Sequence, residues 1–438
     1  MKHQITLGVV CLARKTFDYQ AAQEIYQKTL RQLDAIESVT FEAVPEQIIE
    51  VEDARDAATL LATKQIDGLI CISGTFHLGH LILEMHKTLN VPILLWGFNE
   101  LPYDGGKIRL NSVCGVNLNA SNLYKSGVRN FHVTVGDSVD ADWIDAIRVN
   151  AALSQAHVGI IGFRAHGFFN LGVYDLNVYK QLGILLDHYE LQDVFDMDVT
   201  PELVQAKKEK VLATFDVAAV TAEQVEKVSQ LAAKFERFLD THQLTALAVR
   251  CWPEFAGTFG ISPCAAMSLL QSENRLLVCE GDVEGAVSMI AHRAVGGETP
   301  FLGDFSQVNF EEDFALLWHC GVAPCNLWDG ECACSLDTYF AGGRGVTADF
   351  VMKSGEISIL RIDSAGEEYR VFLQRGTGVP MTKDLRGTYV KVKFPESVQA
   401  VLDKVIYNGI AHHVSMVYGD HIRPFEILAR IKGWTVIK

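Results

Sequence analysis

The sequence predicts an α/β protein in which two doubly wound α/β domains, each a parallel sheet with helices on both faces, precede a β-rich C-terminal domain of antiparallel, barrel-like character. Three observations carry this. From residue 5 short apolar runs of β type alternate with stretches at helical spacing, a second series of the same kind begins at His157, and after about residue 325 strands follow one another with only Gly, Asp and Ser turns between them. The 438 residues are also too many for one compact core.

In the first series Ile5 to Cys11, Gly68 to Ser73, Pro92 to Gly97 and Phe131 to Val135 are continuous apolar runs, as strands buried on both faces should be. Ala21 to Leu33, Asp53 to Lys64, His77 to Leu89 and Ala141 to Ala156 are the helices between them, and the first domain covers residues 1–156. The second domain, 157–325, opens with the strand HVGIIGF, which runs into the polar loop RAHGFFN. Thr221 to Leu239 is a long helix, Leu244 to Arg250 a strand, Pro263 to Leu270 a helix start, Arg275 to Cys279 a strand, Val283 to Ala294 a helix and Phe314 to Trp318 a last strand. In the third domain, 326–438, GEISILRI, EYRVFLQ and TYVKVKF are successive strands with no helix between them. The helix Val398 to Tyr407, the loop NGIAHHVSMVYGDH and a final helix and strand, Pro424 to Val436, complete it.

Composition narrows the function. At 49% hydrophobic and 21% charged residues, with 11 Pro, the chain is ordinary globular protein without low-complexity tracts. A formal net charge of -16 repels phosphate backbones and anionic lipid, so neither nucleic acid nor a membrane surface is an expected partner. Met1 to Thr6 lacks the basic flank and long apolar core of a secretory signal, and no apolar stretch approaches the roughly 20 residues of a membrane span. A cytoplasmic location is expected. The ten cysteines, among them Cys11, Cys71 and Cys279 in apolar runs, read as reduced core residues without structural disulfides.

Ligands in open α/β sheets gather beyond the carboxyl ends of strands, so the polar residues ending the strands of the second domain are the candidates for chemistry. LTALAVR runs into Cys251-Trp252-Pro253-Glu254, RLLVC into Glu280-Gly281-Asp282, and FALLW into His319-Cys320-Gly321, while His412-His413 lie in a Gly-flanked loop further on. Carboxylate and imidazole together favour a divalent ion of the manganese or magnesium class, whereas structural zinc more often recruits thiolates. Such a set suits the movement of a carbonyl between C1 and C2 of a sugar. The metal stabilises the enediolate oxygens and two carboxylates serve as acid and base. Each residue also has a bland explanation: Asp282 is a favoured cap for the helix beginning at Val283, and His319 suits a core.

PEF at Pro253 to Phe255, CEGDVEGA at Cys279 to Ala286, WHCG at Trp318 to Gly321 and AHHV at Ala411 to Val414, with GTFH at Gly74 to His77, resemble the pattern of the L-fucose and L-arabinose isomerases over most of the chain. The resemblance implies two Rossmann-like domains followed by a β-rich domain, and a metal-dependent aldose–ketose isomerase acting on a free sugar. It implies Glu254 and Asp282 as metal-binding carboxylates that also form the acid–base pair, His413 as the metal-binding histidine, and Mn2+, or another divalent ion such as Mg2+ or Co2+, as cofactor. His319 resembles a further histidine ligand of the arabinose isomerases and is expected at the metal or the substrate. Thr75 and Arg164 are implied as substrate contacts. A homo-oligomer is implied too, with the first domain of a neighbouring subunit completing each site. D-arabinose, L-arabinose, L-fucose, another deoxy sugar and a 6-sulfonated sugar are all open as substrates.

Other readings compete. Cys320, Cys325, Cys332 and Cys334 form a local cluster whose spacing lacks the paired knuckles of a zinc site, and they read as reduced cysteines in a connecting segment. His77, His80 and His86 lack the i, i+4 spacing of a helical metal site and read as surface or packing residues. No GxxxxGK[ST] or GxGxxG occurs, so no phosphate cradle supports a kinase or nicotinamide dehydrogenase. A cytoplasmic sugar-binding sensor without catalysis is the alternative, and such a protein has no need of Glu254, Asp282 and His413 together.

Overall fold

In a computed structural model, residues 2–297 and 299–438 are described. They fall into two compact units. One comprises residues 2–151 with 423–434, and the other 152–422 with 435–438, so the segments expected as second and third domains share one unit, and the last helix, Ile422–Lys432, belongs mostly with the first.

The unit built on residues 2–151 holds a five-stranded parallel sheet in the order Val39–Ala43, Ile5–Leu12, Gly68–Ser73, Ile93–Gly97 and Phe131–Val135. Its central strands are buried but for Thr6, which is why they read as apolar runs. The edge strand Val39–Ala43 is short and half-exposed, and carries no such signal.

The other unit opens with a four-stranded parallel sheet, in the order Leu185–Tyr189, His157–Ile161, Ala246–Val249 and Leu276–Val278. After it the chain enters a nine-stranded, mainly antiparallel sheet. Six of those strands, Thr388–Lys393, Phe314–His319, Phe301–Asn309, His413–Tyr418, Gly355–Ala365 and Glu368–Val379, pair in succession, and the last pairs back with the first, closing a barrel. The strand ending at His319 therefore belongs to this barrel and not to the parallel sheet, where its continuous apolar sequence had put it. The helix Val283–Ala294 packs on both layers, against Leu276–Val278 on one side and against Gly355–Ala365 and His413–Tyr418 on the other. All its residues but Arg293 are buried, which explains a sequence apolar nearly all round. No helix among the described residues is long and apolar enough to cross a membrane.

Candidate metal centre and active site

The site forms where the strand Leu276–Val278 meets the barrel. Beyond the strand the backbone turns sharply through Glu280 (φ 64°) and Gly281 (φ 71°), both left-handed. A Cβ on Gly281 would lie 2.5 Å from the Phe163 carbonyl oxygen and 2.7 Å from Arg164 Cα, so only glycine lets this turn meet the loop after His157–Ile161. The Ala165 N–H donates to the Glu280 carbonyl at 2.9 Å and fixes the two loops in register. Glu280 pays for its φ with strain of the kind that concentrates at functional sites, and its carboxylate is turned toward the two adjacent histidines, 3.1 Å from His412 Nε2 and 3.5 Å from His413 Nε2.

The barrel supplies the remaining groups. Asp304 and His413 are direct cross-strand partners, and Trp318, the residue before His319, pairs with Asp304 from the other side. Side chains on directly opposed residues share a face, and Asp304 Oδ1 lies 3.4 Å from His413 Nε2. The His319 and His413 rings stack with centroids 5.6 Å apart. Two sets of donor atoms close enough to hold one metal ion result: Glu280, His412 and His413, and Asp304, His319 and His413.

Hydrogen-bond partners distinguish the three imidazoles. His413 directs Nδ1 at Asp282 Oδ2 (2.9 Å); since a carboxylate only accepts, Nδ1 carries the proton and Nε2 keeps a lone pair facing Glu280 and Asp304. His319 Nδ1 accepts from the Cys320 N–H at 2.8 Å, which in the neutral ring puts the proton on Nε2. His412 Nδ1 faces the Asn170 amide at 3.2 Å, so its Nε2–H donates to Glu280. Only His413 thus offers the cluster a free nitrogen lone pair; the other two are donors.

Asp282 lies behind His413 rather than among the facing groups. It is fully buried, caps the helix through the Gly285 N–H (2.8 Å), and is gripped by Arg361 at 2.5 and 3.0 Å. Burial alone would raise its pKa, but the Arg361 charge and the His413 hydrogen bond overcome this and hold it well below the usual carboxylate range. Both oxygens are committed, unlike those of the metal-binding, proton-transferring carboxylate expected from sequence. Arg361, itself fully buried, also faces Glu284 at 3.7 Å and Asp363 at 3.6 Å. Burial pushes the Glu284 carboxyl up to about 8 despite that guanidinium.

Glu254 stands outside both donor sets. It pairs with Arg250 at 3.1 Å and lines a cavity of about 180 Å³ with Arg164, Ala165, His166 and Arg250. Thr75 is fully buried in the unit built on residues 2–151, accepting from the Arg14 N–H and donating to the Phe76 carbonyl, both at 2.9 Å. All ten cysteines are unpaired, and among the described residues neither donor set includes one. His77 is a buried packing residue, whereas His80 is exposed.

Glu280 and His412 were visible in sequence as neighbours of the chosen residues. Asp304 was missed, although an acid in the otherwise apolar FLGDF is a signal, and so was Arg361 in GEISILRI.

The donor set fits a divalent ion. His413 Nε2, His319 Nε2 and Asp304 Oδ1 are all buried without a hydrogen-bond partner, an arrangement that costs about 1–3 kcal/mol per group unless something binds there. Carboxylates with one imidazole lone pair suit hard and borderline ions.

Residues 8–148 match the family model of the fucose/sulfoquinovose isomerase N-terminal domain. Sulfoquinovose isomerases of Priestia aryabhattai and Priestia megaterium are each 27% identical over 431 residues, covering 95% of both chains. That of Alkalicoccus urumqiensis is 26% identical over 449 residues, covering 99% of both. A periplasmic solute-binding protein from Actinobacillus succinogenes 130z, with bound D-allose, aligns over 67% of this chain and 92% of its own at 10% identity and a TM-score of 0.17, too low to bear on function. With one family domain matched at residues 8–148 and likeness to these isomerases along nearly its whole length, the chain is similar to the fucose/sulfoquinovose isomerases.

Proposed function

We propose that this protein is a metal-dependent aldose–ketose isomerase whose substrate is a free aldose sulfonated at C6, the substrate class for which its relatives are named. The observation that best supports it is the convergence of buried polar atoms without partners at His413, His319 and Asp304. In this reading Glu280, Asp304 and His413 would hold a divalent ion, with manganese favoured and magnesium or cobalt compatible with the same donors. Bound there, the ion supplies positive charge for the oxygens of the enediolate.

The chain's own groups do the rest. Glu254 takes the proton from C2 and returns it at C1, while Glu280 carries the hydroxyl proton from O2 to O1. Arg250 holds Oε1 of Glu254 and leaves Oε2 for the transfer. The acid–base pair expected of Glu254 and Asp282 becomes Glu254 and Glu280, because Asp282 has no oxygen to spare. Asp282 and Arg361 keep His413 in the tautomer that presents Nε2, and the Nε2–H of His319 donates to a sugar oxygen. Solubility in the cytoplasm and a homo-oligomer with sites completed by a neighbouring subunit belong to the same proposal and rest on the family resemblance.

The deciding experiment incubates metal-stripped enzyme, with and without Mn2+, with 6-deoxy-6-sulfoglucose, L-fucose, D-arabinose and L-arabinose, and reads ketose formation. Mn-dependent ketose from the sulfonated sugar is expected. Binding of a sugar with no ketose from any of them would make the protein a sensor.

A further inference from the structure

The cavity beside Glu254 is basic in a chain of net charge -16. Two guanidiniums, Arg164 and Arg250, and the imidazole of His166 face one carboxylate. Arg250 is partly neutralised by Glu254 at 3.1 Å, yet its Nε is buried with no hydrogen-bond partner. Arg164 is less satisfied still: among the described residues its guanidinium has no carboxylate and no hydrogen-bond acceptor, and it is braced by the rings of Phe163 and Phe169, whose centroids are 4.7 and 5.4 Å away. Aromatic bracing fixes a guanidinium's plane without using its N–H donors. The loop carrying it cannot drift, because Ala165 is hydrogen-bonded to the Glu280 carbonyl and Gly281 packs against Arg164 Cα.

A held, unpaired guanidinium in a small cavity at the edge of a sugar site is a fork for a tetrahedral oxyanion. We propose that Arg164 is the anion receptor of this enzyme, selecting aldoses that carry a sulfonate on the carbon remote from C1, with Arg250 Nε and the His166 ring adding hydrogen-bonding groups. The inference rests on the isomerase reading above and deepens it by naming the group that sets specificity. No atom of Arg164 takes part in the proton transfers. Its contribution is uniform binding, which appears in KM more than in kcat.

The test uses ligands that cannot be isomerised, so that it does not depend on turnover. Binding of 6-deoxy-6-sulfo-D-glucitol, D-glucitol 6-phosphate and D-glucitol to the manganese-loaded full chain is measured by calorimetry, for wild type, Arg164→Gln and Arg164→Lys. Wild type is expected to bind the sulfonated alditol about tenfold to a hundredfold more tightly than glucitol, the span of one charge-assisted hydrogen-bonded pair. Arg164→Gln should collapse that ratio toward one, and Arg164→Lys, which keeps the charge but loses the fork, should restore part of it. A merely structural role would weaken both alditols together and leave the ratio intact. Equal affinity of wild type for the sulfonated and neutral alditols, an unchanged ratio in Arg164→Gln, or preference for the phosphate over the sulfonate overturns the proposal. Absence of ketose from the sulfonated aldose, with the binding ratio intact, would instead remove the isomerase reading and leave the receptor standing.

Discussion

Asp282 and His413 are joined by a 2.9 Å hydrogen bond that leaves the histidine's other nitrogen facing Glu280 and Asp304. Such a partner fixes both ring orientation and tautomer, and its loss typically weakens metal affinity by about 10–100-fold. Asp282→Asn is expected to lower affinity for Mn2+ by that amount, measured by calorimetry. It should also lower the melting temperature, because Arg361 is then a buried charge without its main counterion, a situation worth about 3–5 kcal/mol. Unchanged stability would mean that Arg361 is neutralised by Glu284 and Asp363 alone.

Glu280→Gln and Glu254→Gln are expected to fold with near-wild-type stability, since neither carboxylate anchors a buried arginine as Asp282 does. Each should lower kcat for ketose formation by about 10²–10⁴-fold, the usual contribution of a positioned acid or base. Activity retained in Glu280→Gln would return the acid–base role to Asp282.

The tautomers set the histidines apart. His413→Gln should abolish Mn2+ binding, read as metal content after dialysis, whereas His319→Gln should retain the metal and lose kcat. Equal loss of metal in both would place His319 among the ligands.

A pH effect on stability follows from His77, which is buried between Ser73 Oγ at 3.0 Å and Asn119 Nδ2 at 3.4 Å. Burial holds its pKa at about 4, below the ordinary 6.5. Below pH 6.5 the unfolded chain binds a proton that the folded one refuses until about pH 4. Stability present above 6.5 is therefore lost as pH falls through that window, by about 3 kcal/mol in all. Denaturant melts of wild type and His77→Gln at pH 7.5 and 4.5 should show the variant less sensitive to acid by about that amount.

What was legible in the sequence was whatever local pattern determines. Gly68 to Ser73, Val283 to Ala294 and Val398 to Tyr407 agree with the structure residue for residue, because burial on both faces or strong amphipathy marks them; Phe131 to Val135 agrees in its bounds but is a half-exposed edge strand and not the buried one expected. The helix Ser112–Lys125 was missed; it has no acidic residue and contains Gly115. The candidate site was legible in its strand ends, where Glu254, Glu280, His319 and His413 stand. Cross-strand register, which sets Asp304 opposite His413, and the arrival of Arg361 at Asp282 depend on residues 109 and 79 positions apart, a separation to which periodicity is blind. The Thr75 hydroxyl is engaged within its own unit, with the Arg14 N–H and the Phe76 carbonyl.

The closed barrel gives this arrangement a division of labour. Asp304 and His413 sit on one rung between neighbouring strands, and a ring without free edges cannot slip its register without rebuilding every pairing around it. Arg164, the proposed anion receptor, hangs instead from a loop after the parallel sheet, pinned by a backbone hydrogen bond to Glu280. The barrel is a socket and the loop an adaptor: substitutions at Phe163 to Phe169 can retune which sugar enters while the rung beneath them stays as it was.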